Sequence, residues 1–433
     1  MIASLSGIRG VLNRDLSLDD VSRFAINFGR ATGSKDFLLA RDPRPTGPAI
    51  CRVVTAGLMS LGATVHDYGI ISTPALFHES KKSGLPAVMV TASHNEPEFN
   101  GLKFLLEGAG VGQEVFDQVM AAKTPRWAPF ERGVVKKAPA PSYVGDLIER
   151  FGVGSCEGVR VAVDQGGGAA ISHAFYLLMR LGCDVTSMND SYGVFNRRVD
   201  PVADELALLR KTVRQKGCDI GLGFDCDGDR LVIVDSSGRK RTGDFMLTLA
   251  LAESLARTGE RKVVVSVDTT QAIDDVAKEA GAQVFRSRVG EANVVGLMKE
   301  RGARLGGEGS SGGLIDGSFN YCRDSMLAAL SIITALKREG RNLYESVPVY
   351  QQERVAIGVP KVKALKAIRK LAPQYEGADF TDGLKIRFDH RSWVLIRPSG
   401  TENVVRVSAE APSLEKASRL AKSFAKKLRE LSL

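Results

Sequence analysis

Lys262-Val-Val-Val-Ser-Val267, then a helical stretch, then Ala280-Gly-Ala-Gln-Val284: this order of elements occurs three times along the chain. It also joins Phe37-Leu-Leu-Ala40 to Leu61-Gly-Ala-Thr-Val65, and Val159-Arg-Val-Ala-Val163 to Leu181-Gly-Cys-Asp-Val185. Each copy reads as a β-rich strand, a helix ended by glycine, and a second strand. Strand–helix–strand units pack helices over a sheet, so three copies predict three α/β domains in series. The period is roughly 100 residues, which suits duplicated domains rather than a solenoid.

Residues 346–411 follow another rhythm. Val355-Ala-Ile-Gly-Val359, Leu384-Lys-Ile-Arg-Phe388, Trp393-Val-Leu-Ile396 and Val404-Val-Arg-Val407 alternate as strands do, with helical stretches at 361–372 and 413–431. This predicts a smaller C-terminal α+β domain. With boundaries near the proline-rich stretch 138–142, near Gly243 and near Pro348, the expected domains are 1–143, 144–242, 243–346 and 347–433.

A length of 433 residues, 44% hydrophobic and 25% charged, fits an ordinary multidomain globular protein. No apolar run reaches the roughly 20 residues that cross a bilayer. The start, Met1 to Gly10, lacks the basic and apolar regions of a secretory signal, so the expectation is a cytoplasmic protein without membrane contact. Six cysteines without C-x-x-C spacing predict reduced, buried thiols. The net charge of +9 fits a solvated basic surface or a cleft for anionic substrates. Nucleic acid is not expected, because the charges are dispersed and no base-stacking aromatic array accompanies them.

Two short motifs carry most of the chemistry. Thr91-Ala-Ser-His-Asn95 follows an apolar run and puts Ser93 on what reads as an exposed loop. Ser93 lacks the flanking glycines of a nucleophile elbow. His94 and Lys103 are its local candidates for moving a proton or stabilising an oxyanion, and Asn100 to Lys103 reads as a turn that returns the lysine. A turn serine with a capping histidine is the plainer alternative. Asp225-Cys-Asp-Gly-Asp-Arg230 sets three carboxylates in five residues. Carboxylates that close repel unless a cation lies among them. An EF-hand is excluded, since Gly228 stands at loop position 4 and Ser236 at position 12. Flanking runs Ile220–Phe224 and Leu231–Val234 indicate strand–loop–strand, and the oxygen donors suit Mg²⁺.

Arg397-Pro-Ser-Gly-Thr-Glu402 follows a strand ending at Ile396 and offers Arg397, Ser399, Gly400 and Thr401 as a phosphate cradle. Gly306-Gly-Glu-Gly-Ser-Ser-Gly-Gly313 is neither a P-loop nor a Rossmann fingerprint, yet Glu308 and Ser310 suit sugar hydroxyls. Arg9, in what reads as a glycine-flanked turn, and Arg288 and Glu291 are weaker candidates that surface solvation would also explain.

Taken together, these motifs resemble the α-D-phosphohexomutases over nearly the whole chain, one motif per domain and in the family order. The resemblance implies four domains around a central cleft, the last closing on substrate. It implies that Ser93 is the phosphoserine and that Asp225, Asp227 and Asp229, with the seryl phosphate, hold one Mg²⁺ per chain. Arg9, His94, Lys103 and Arg230 then assist proton and phosphoryl transfer. Glu308 and Ser310 read the sugar, and the Arg397–Thr401 segment binds the phosphate that stays. A hexose phosphate is the implied substrate and a sugar bisphosphate the intermediate and primer, in a monomer or homodimer. The chain departs from most members at Glu96, which precedes Pro97, and at Gly312, where several subfamilies have histidine. Its sugar loop is similar to the archaeal-type loop. That loop belongs to phosphoglucosamine mutases and to dual enzymes alike; the chain's size and its lack of the insertions typical of larger phosphoglucomutases favour glucosamine phosphate, with a dual phosphomannomutase/phosphoglucomutase as the alternative. A sugar phosphatase or a non-catalytic sensor would not need the full set of motifs.

Overall fold

The protein was analysed as a computed structural model that describes residues 1–122, 132–152, 154–398 and 404–432. All three repeats form as expected. Asp36–Arg41 pairs in parallel with Thr64–Ile70, Arg160–Asp164 with Asp184–Met188, and Lys262–Ser266 with Gln283–Ser287. The glycines that follow each connecting helix, Gly62, Gly182 and Gly281, have φ of 77°, 77° and 68°. This left-handed geometry carries no Cβ penalty at glycine.

Each repeat extends identically. A third strand joins in parallel: Ala87–Val90, Ile220–Phe224 or Leu305–Glu308. A fourth returns antiparallel: Phe99–Leu106, Leu231–Asp235 or Gly313–Asp316. The second and third domains are thus four-stranded mixed sheets, and the first is the same plan enlarged to eight strands. The fourth domain is an antiparallel sheet of Gln351–Ile357, Val405–Ala411, Ser392–Pro398 and Leu384–Asp389, with Lys361–Leu371 and Leu414–Ser432 as its helices. The loop between third and fourth strands of each α/β domain lies at the carboxyl end of a parallel strand, where open α/β sheets bind ligands.

Leu38 and Met89 of the first domain share one buried cluster with Val161 and Leu222 of the second and Val263 and Leu305 of the third. The fourth domain has its own core around Ile386, Ile396, Val407 and Phe424. It docks on the third through buried polar contacts. Glu410 Oε1 accepts from Gln271 N at 2.8 Å and from Trp393 Nε1 at 2.9 Å, and Lys385 Nζ donates to Val267 O at 2.6 Å.

Three local expectations need correction. Arg9 lies in the strand Gly7–Val11, and Asn100–Lys103 in the strand Phe99–Leu106; neither is a turn. The two strands pair with Arg9 opposite Gly101, and a Cβ at Gly101 would overlap Ile8 O. The glycine marks a close backbone approach, which in sequence looks like a turn. Arg397 is also inside a strand, since Ser392–Pro398 runs past Ile396. Among the described residues, no helix is long and apolar enough to cross a membrane.

Candidate active site

Ser93 sits in the loop between Ala87–Val90 and Phe99–Leu106, but it is fully buried, contrary to the exposed loop that its polar neighbours suggest. Its φ of 51° is left-handed, unusual for a residue with a side chain. Such geometry costs on the order of 1–3 kcal/mol and persists only where the surroundings over-determine it. Here they do. Ser93 N donates to Thr91 Oγ1 at 2.8 Å, and Thr91 Oγ1 donates to Asp42 Oδ2 at 2.6 Å. Fully buried Arg44 pairs its Nε with the same carboxylate oxygen at 2.9 Å. Its Nη2 donates to Ser93 O at 2.6 Å and Asn95 O at 2.5 Å, and its Nη1 to Glu96 O at 2.5 Å and Phe99 O at 3.0 Å. One guanidinium therefore brackets the whole serine loop. Sequence reading missed it; Asp42-Pro-Arg44-Pro was its only trace.

Asp225, Asp227 and Asp229 fill the equivalent loop of the second domain, and all are fully buried. Gly228, with φ of 70°, lets the loop turn between them. Ser93 Oγ lies 3.3 Å from Asp225 Oδ2, so serine and cage form one site. The remaining oxygens divide into occupied and unoccupied. Asp225 Oδ1 accepts from Asp229 N and Arg230 N, each at 3.1 Å. Asp227 Oδ2 accepts from Thr73 Oγ1 at 2.6 Å and Lys103 Nζ at 2.7 Å. Asp229 Oδ2 accepts from Lys103 Nζ at 3.0 Å and Arg323 Nη2 at 2.9 Å. Asp227 Oδ1 and Asp229 Oδ1 are buried without a hydrogen-bond partner. Orphaned buried carboxylate oxygens are costly. One oxygen from each aspartate lies within 4.8 Å of the other two, so a hard divalent cation fits this donor set. Burial, then repulsion from Asp227 and Asp229, pushes the Asp225 carboxyl well above the usual range. Burial opposes the charge of Lys103 as well, but Asp227 and Asp229 outweigh it and raise the ammonium pKa.

His94 lies beside Ser93, with Nδ1 3.5 Å from Ser93 Oγ, and Arg230 lies beside His94. Arg230 Nη2 is 3.4 Å from His94 Nε2, and its Nη1 donates to Asp200 Oδ2 at 3.2 Å. Arg9 Nη1 donates to Asn95 Oδ1 at 3.1 Å. Burial, then Arg230 and Arg9, holds the His94 pKa down to about 2, so the ring is neutral. Arg230 also lines a cavity of about 440 Å³ together with Ser310, Arg354 and Arg397. Arg397 Nε donates to Asp382 Oδ2 at 2.7 Å. Ser399, Gly400 and Thr401 lie outside the described residues.

The third equivalent loop carries Glu308, at the end of its strand, and Ser310, in the single turn Gly309–Ser311. Glu308 Oε1 accepts from Gly290 N at 2.6 Å, and Arg323 Nη1 lies 3.7 Å from Glu308 Oε2. Gly312 has φ of 66°, and a Cβ there would press on Leu231 O. The loop geometry itself thus disfavours a histidine at this position. Arg323 is a second functional candidate that sequence reading missed, since no motif surrounds it.

A buried serine set against a carboxylate cage, at matching loops of repeated α/β domains, defines a phosphoryl-transfer enzyme. Comparison with protein families agrees domain by domain. Residues 2–125, 141–238 and 242–352 match the phosphoglucomutase/phosphomannomutase alpha/beta/alpha domains I, II and III, and residues 354–427 match the C-terminal domain. The chain belongs to this family, the α-D-phosphohexomutases. A probable phosphoglucosamine mutase of Methanopyrus kandleri is 33% identical over 97% of this chain and 96% of its own. A phosphoglucomutase/phosphomannomutase of Thermococcus kodakarensis is 32% identical over 95% of this chain and 94% of its own. A solved phosphoglucomutase/phosphomannomutase family protein from Burkholderia thailandensis superposes with a TM-score of 0.85 at 26% identity, covering 99% of this chain and 98% of that one.

Proposed function

We propose that this chain interconverts hexose 1-phosphate and hexose 6-phosphate through a phosphoserine at Ser93 and a sugar bisphosphate, with glucosamine phosphate favoured. The observation that carries the reading is the 3.3 Å approach of Ser93 Oγ to Asp225 within the buried cage. In the forward half-reaction, the bond between Ser93 Oγ and phosphorus breaks as a sugar hydroxyl bonds to phosphorus, and the proton that hydroxyl loses ends on Ser93 Oγ. The bisphosphate turns round in the cleft, and Ser93 Oγ takes the other phosphoryl group. Asp225, Asp227 and Asp229, with the seryl phosphate, would hold one Mg²⁺, which when bound neutralises charge on the phosphoryl oxygens. Arg9, Lys103 and Arg230 supply fixed positive charge around the same atoms. His94, with Nδ1 3.5 Å from Ser93 Oγ, assists proton and phosphoryl transfer there. Glu308 accepts from sugar hydroxyls beside Ser310, and Arg397 with Ser399, Gly400 and Thr401 takes the phosphate that is not transferred. The domains of this enzyme divide as 1–143, 144–242, 243–346 and 347–433.

The preference for glucosamine phosphate rests on the name of the Methanopyrus relative and on the small, glycine-bound sugar loop. Dual phosphomannomutase/phosphoglucomutase activity is the second reading, favoured by the Thermococcus relative of nearly equal identity. Rates on glucosamine, mannose and glucose 1-phosphates, with Mg²⁺ and the matching bisphosphate, separate them. Ser93→Ala tests the mechanism: turnover should vanish while sugar-phosphate binding persists, and retained turnover refutes the phosphoserine.

A further inference from the structure

Arg323 touches three carboxylates of the site, although no motif contains it. It immediately precedes the helical cap Asp324, whose Oδ1 accepts from Leu327 N at 3.0 Å, and it is 7% exposed. Its Nη2 donates to Asp229 Oδ2 at 2.9 Å, in the cation cage. Its Nη1 faces Glu308 Oε2 at 3.7 Å, in the sugar loop. Its Nε and its backbone N both donate to Glu291 Oε2, at 3.1 and 2.9 Å. Glu291 follows Gly290, whose N–H holds the other oxygen of Glu308 at 2.6 Å. One short assembly therefore hydrogen-bonds one oxygen of Glu308 and sets a guanidinium within ion-pair distance of the other.

The assembly is also tied to its surroundings. Ser325 Oγ donates to Gly228 O at 2.5 Å, inside the aspartate loop. Gly313 leaves room for the stem of Arg323, because a Cβ there would overlap the side-chain carbons of the arginine. Leu231 N donates to Gly312 O at 3.1 Å, which joins the aspartate hairpin directly to the sugar loop. The planar fork of an arginine can face two carboxylates in different directions, whereas a lysine offers a single point of charge.

We propose that Arg323 is a positioning residue that serves both subsites at once: from Asp229 Oδ2 it sets positive charge against a divalent cation at the free Oδ1, and it holds Glu308 oriented to accept sugar hydroxyls. The proposal rests on the mutase reading. It assigns opposite signs to the two effects of losing the side chain. Without the guanidinium, one competing positive charge leaves the cage and cation affinity rises. Glu308 meanwhile loses its orienting partner and sugar affinity falls. A residue that merely supported the fold would weaken both.

The test is Mn²⁺ binding to sugar-free, dephosphorylated protein by electron paramagnetic resonance, and glucose 6-phosphate binding by calorimetry at saturating Mn²⁺. Arg323→Met should tighten Mn²⁺ by about threefold or more and weaken glucose 6-phosphate by about tenfold or more. Arg323→Lys should leave Mn²⁺ binding near that of the parent and still lose sugar affinity. Movement of both affinities in the same direction, or of neither, overturns the proposal. A parent protein that binds neither Mn²⁺ nor sugar phosphate refutes the mutase reading instead. If Arg323→Met does not fold, as judged by circular dichroism, Glu291→Ala tests the hold on Glu308 by freeing the guanidinium, and Arg323→Lys tests it a second time. The alanine variant should weaken glucose 6-phosphate by about fivefold with Mn²⁺ binding unchanged, and unchanged sugar affinity overturns the proposal.

Discussion

Replacing Arg44 by methionine keeps most of the buried volume but removes the guanidinium that brackets the serine loop. Five hydrogen bonds disappear, one to Asp42 and four to the carbonyls of Ser93, Asn95, Glu96 and Phe99. Bonds from a charged donor contribute about 1.5–3 kcal/mol each, and breaking a buried ion pair costs about 3–5 kcal/mol. These figures overlap at Asp42, and the partly exposed carbonyl end of the loop can recruit water, so simple addition overstates the loss. A destabilisation of about 4–6 kcal/mol is expected, which at roughly 2–4 °C per kcal/mol lowers the melting temperature by about 8–24 °C. The loop should also relax. Once Ser93 O loses its partner, little opposes escape from the left-handed conformation at φ 51°. A displacement of about 1 Å at a reacting atom costs about 100-fold in rate. Three measurements check this: scanning calorimetry, mutase turnover, and Ser93 phosphorylation by a hexose bisphosphate followed by intact mass. Arg44→Lys should recover part of the stability through Asp42 but little of the rate, because one ammonium cannot reach four carbonyls. A methionine variant that melts within about 2 °C of the parent and phosphorylates at the parent rate would refute the reasoning.

Two further predictions concern other parts of the fold. Gly312→His should not improve sugar recognition; φ of 66° and the contact with Leu231 O make it destabilising by about 1–2 kcal/mol or more. Urea midpoints and the KM for glucosamine 1-phosphate should both worsen, and an unchanged midpoint sinks the argument. His173 gives a pH dependence: its Nδ1 lies 2.7 Å from Ser172 Oγ and 3.2 Å from Ser72 Oγ, its Nε2 is buried without a partner, and burial lowers its pKa to about 4. Because the folded pKa lies below the unfolded value of about 6.5, its stabilising effect is complete above that pH and is lost as pH falls toward 4, by about 2 kcal/mol at pH 5. His173→Asn should remove that part of the difference between urea midpoints at pH 7 and pH 5; an identical difference in both proteins would contradict the assignment.

What the sequence disclosed was what lies close together along it. β-rich runs closed by glycine marked the three repeats, and carboxylates crowded into one short loop marked the cage. Errors arose where a short-range signal had a long-range cause. Gly101 looks like a turn residue, but it is needed because the strand Gly7–Val11 lies against it. Ser93 is flanked by polar residues and reads as exposed, yet Arg44, 49 positions away, and Asp225, 132 positions away, seal it. Arg323 is 94 positions from Asp229, and nothing around it hints at a carboxylate partner.

The equivalence of the three functional loops was hidden for the same reason. Thr-Ala-Ser-His-Asn, Asp-Cys-Asp-Gly-Asp-Arg and Glu-Gly-Ser-Ser-Gly share almost no residues, so no repeat of sequence connects them. They become equivalent only once pairing shows that each follows the third parallel strand of its domain and precedes an antiparallel return. Duplication then explains the geometry of the site. Repeated sheets that bury a common core present the same loop toward a shared cleft, and the contacts Ser93–Asp225 and Leu231–Gly312 show neighbouring loops meeting there. With three loops placed together, each carries different side chains: one Ser93, one the three aspartates, one Glu308. Arg44 stiffens one such loop from within its own domain, while Arg323 ties two of them together. Both contacts are long-range guanidinium contacts made by side chains and not by the duplicated backbone.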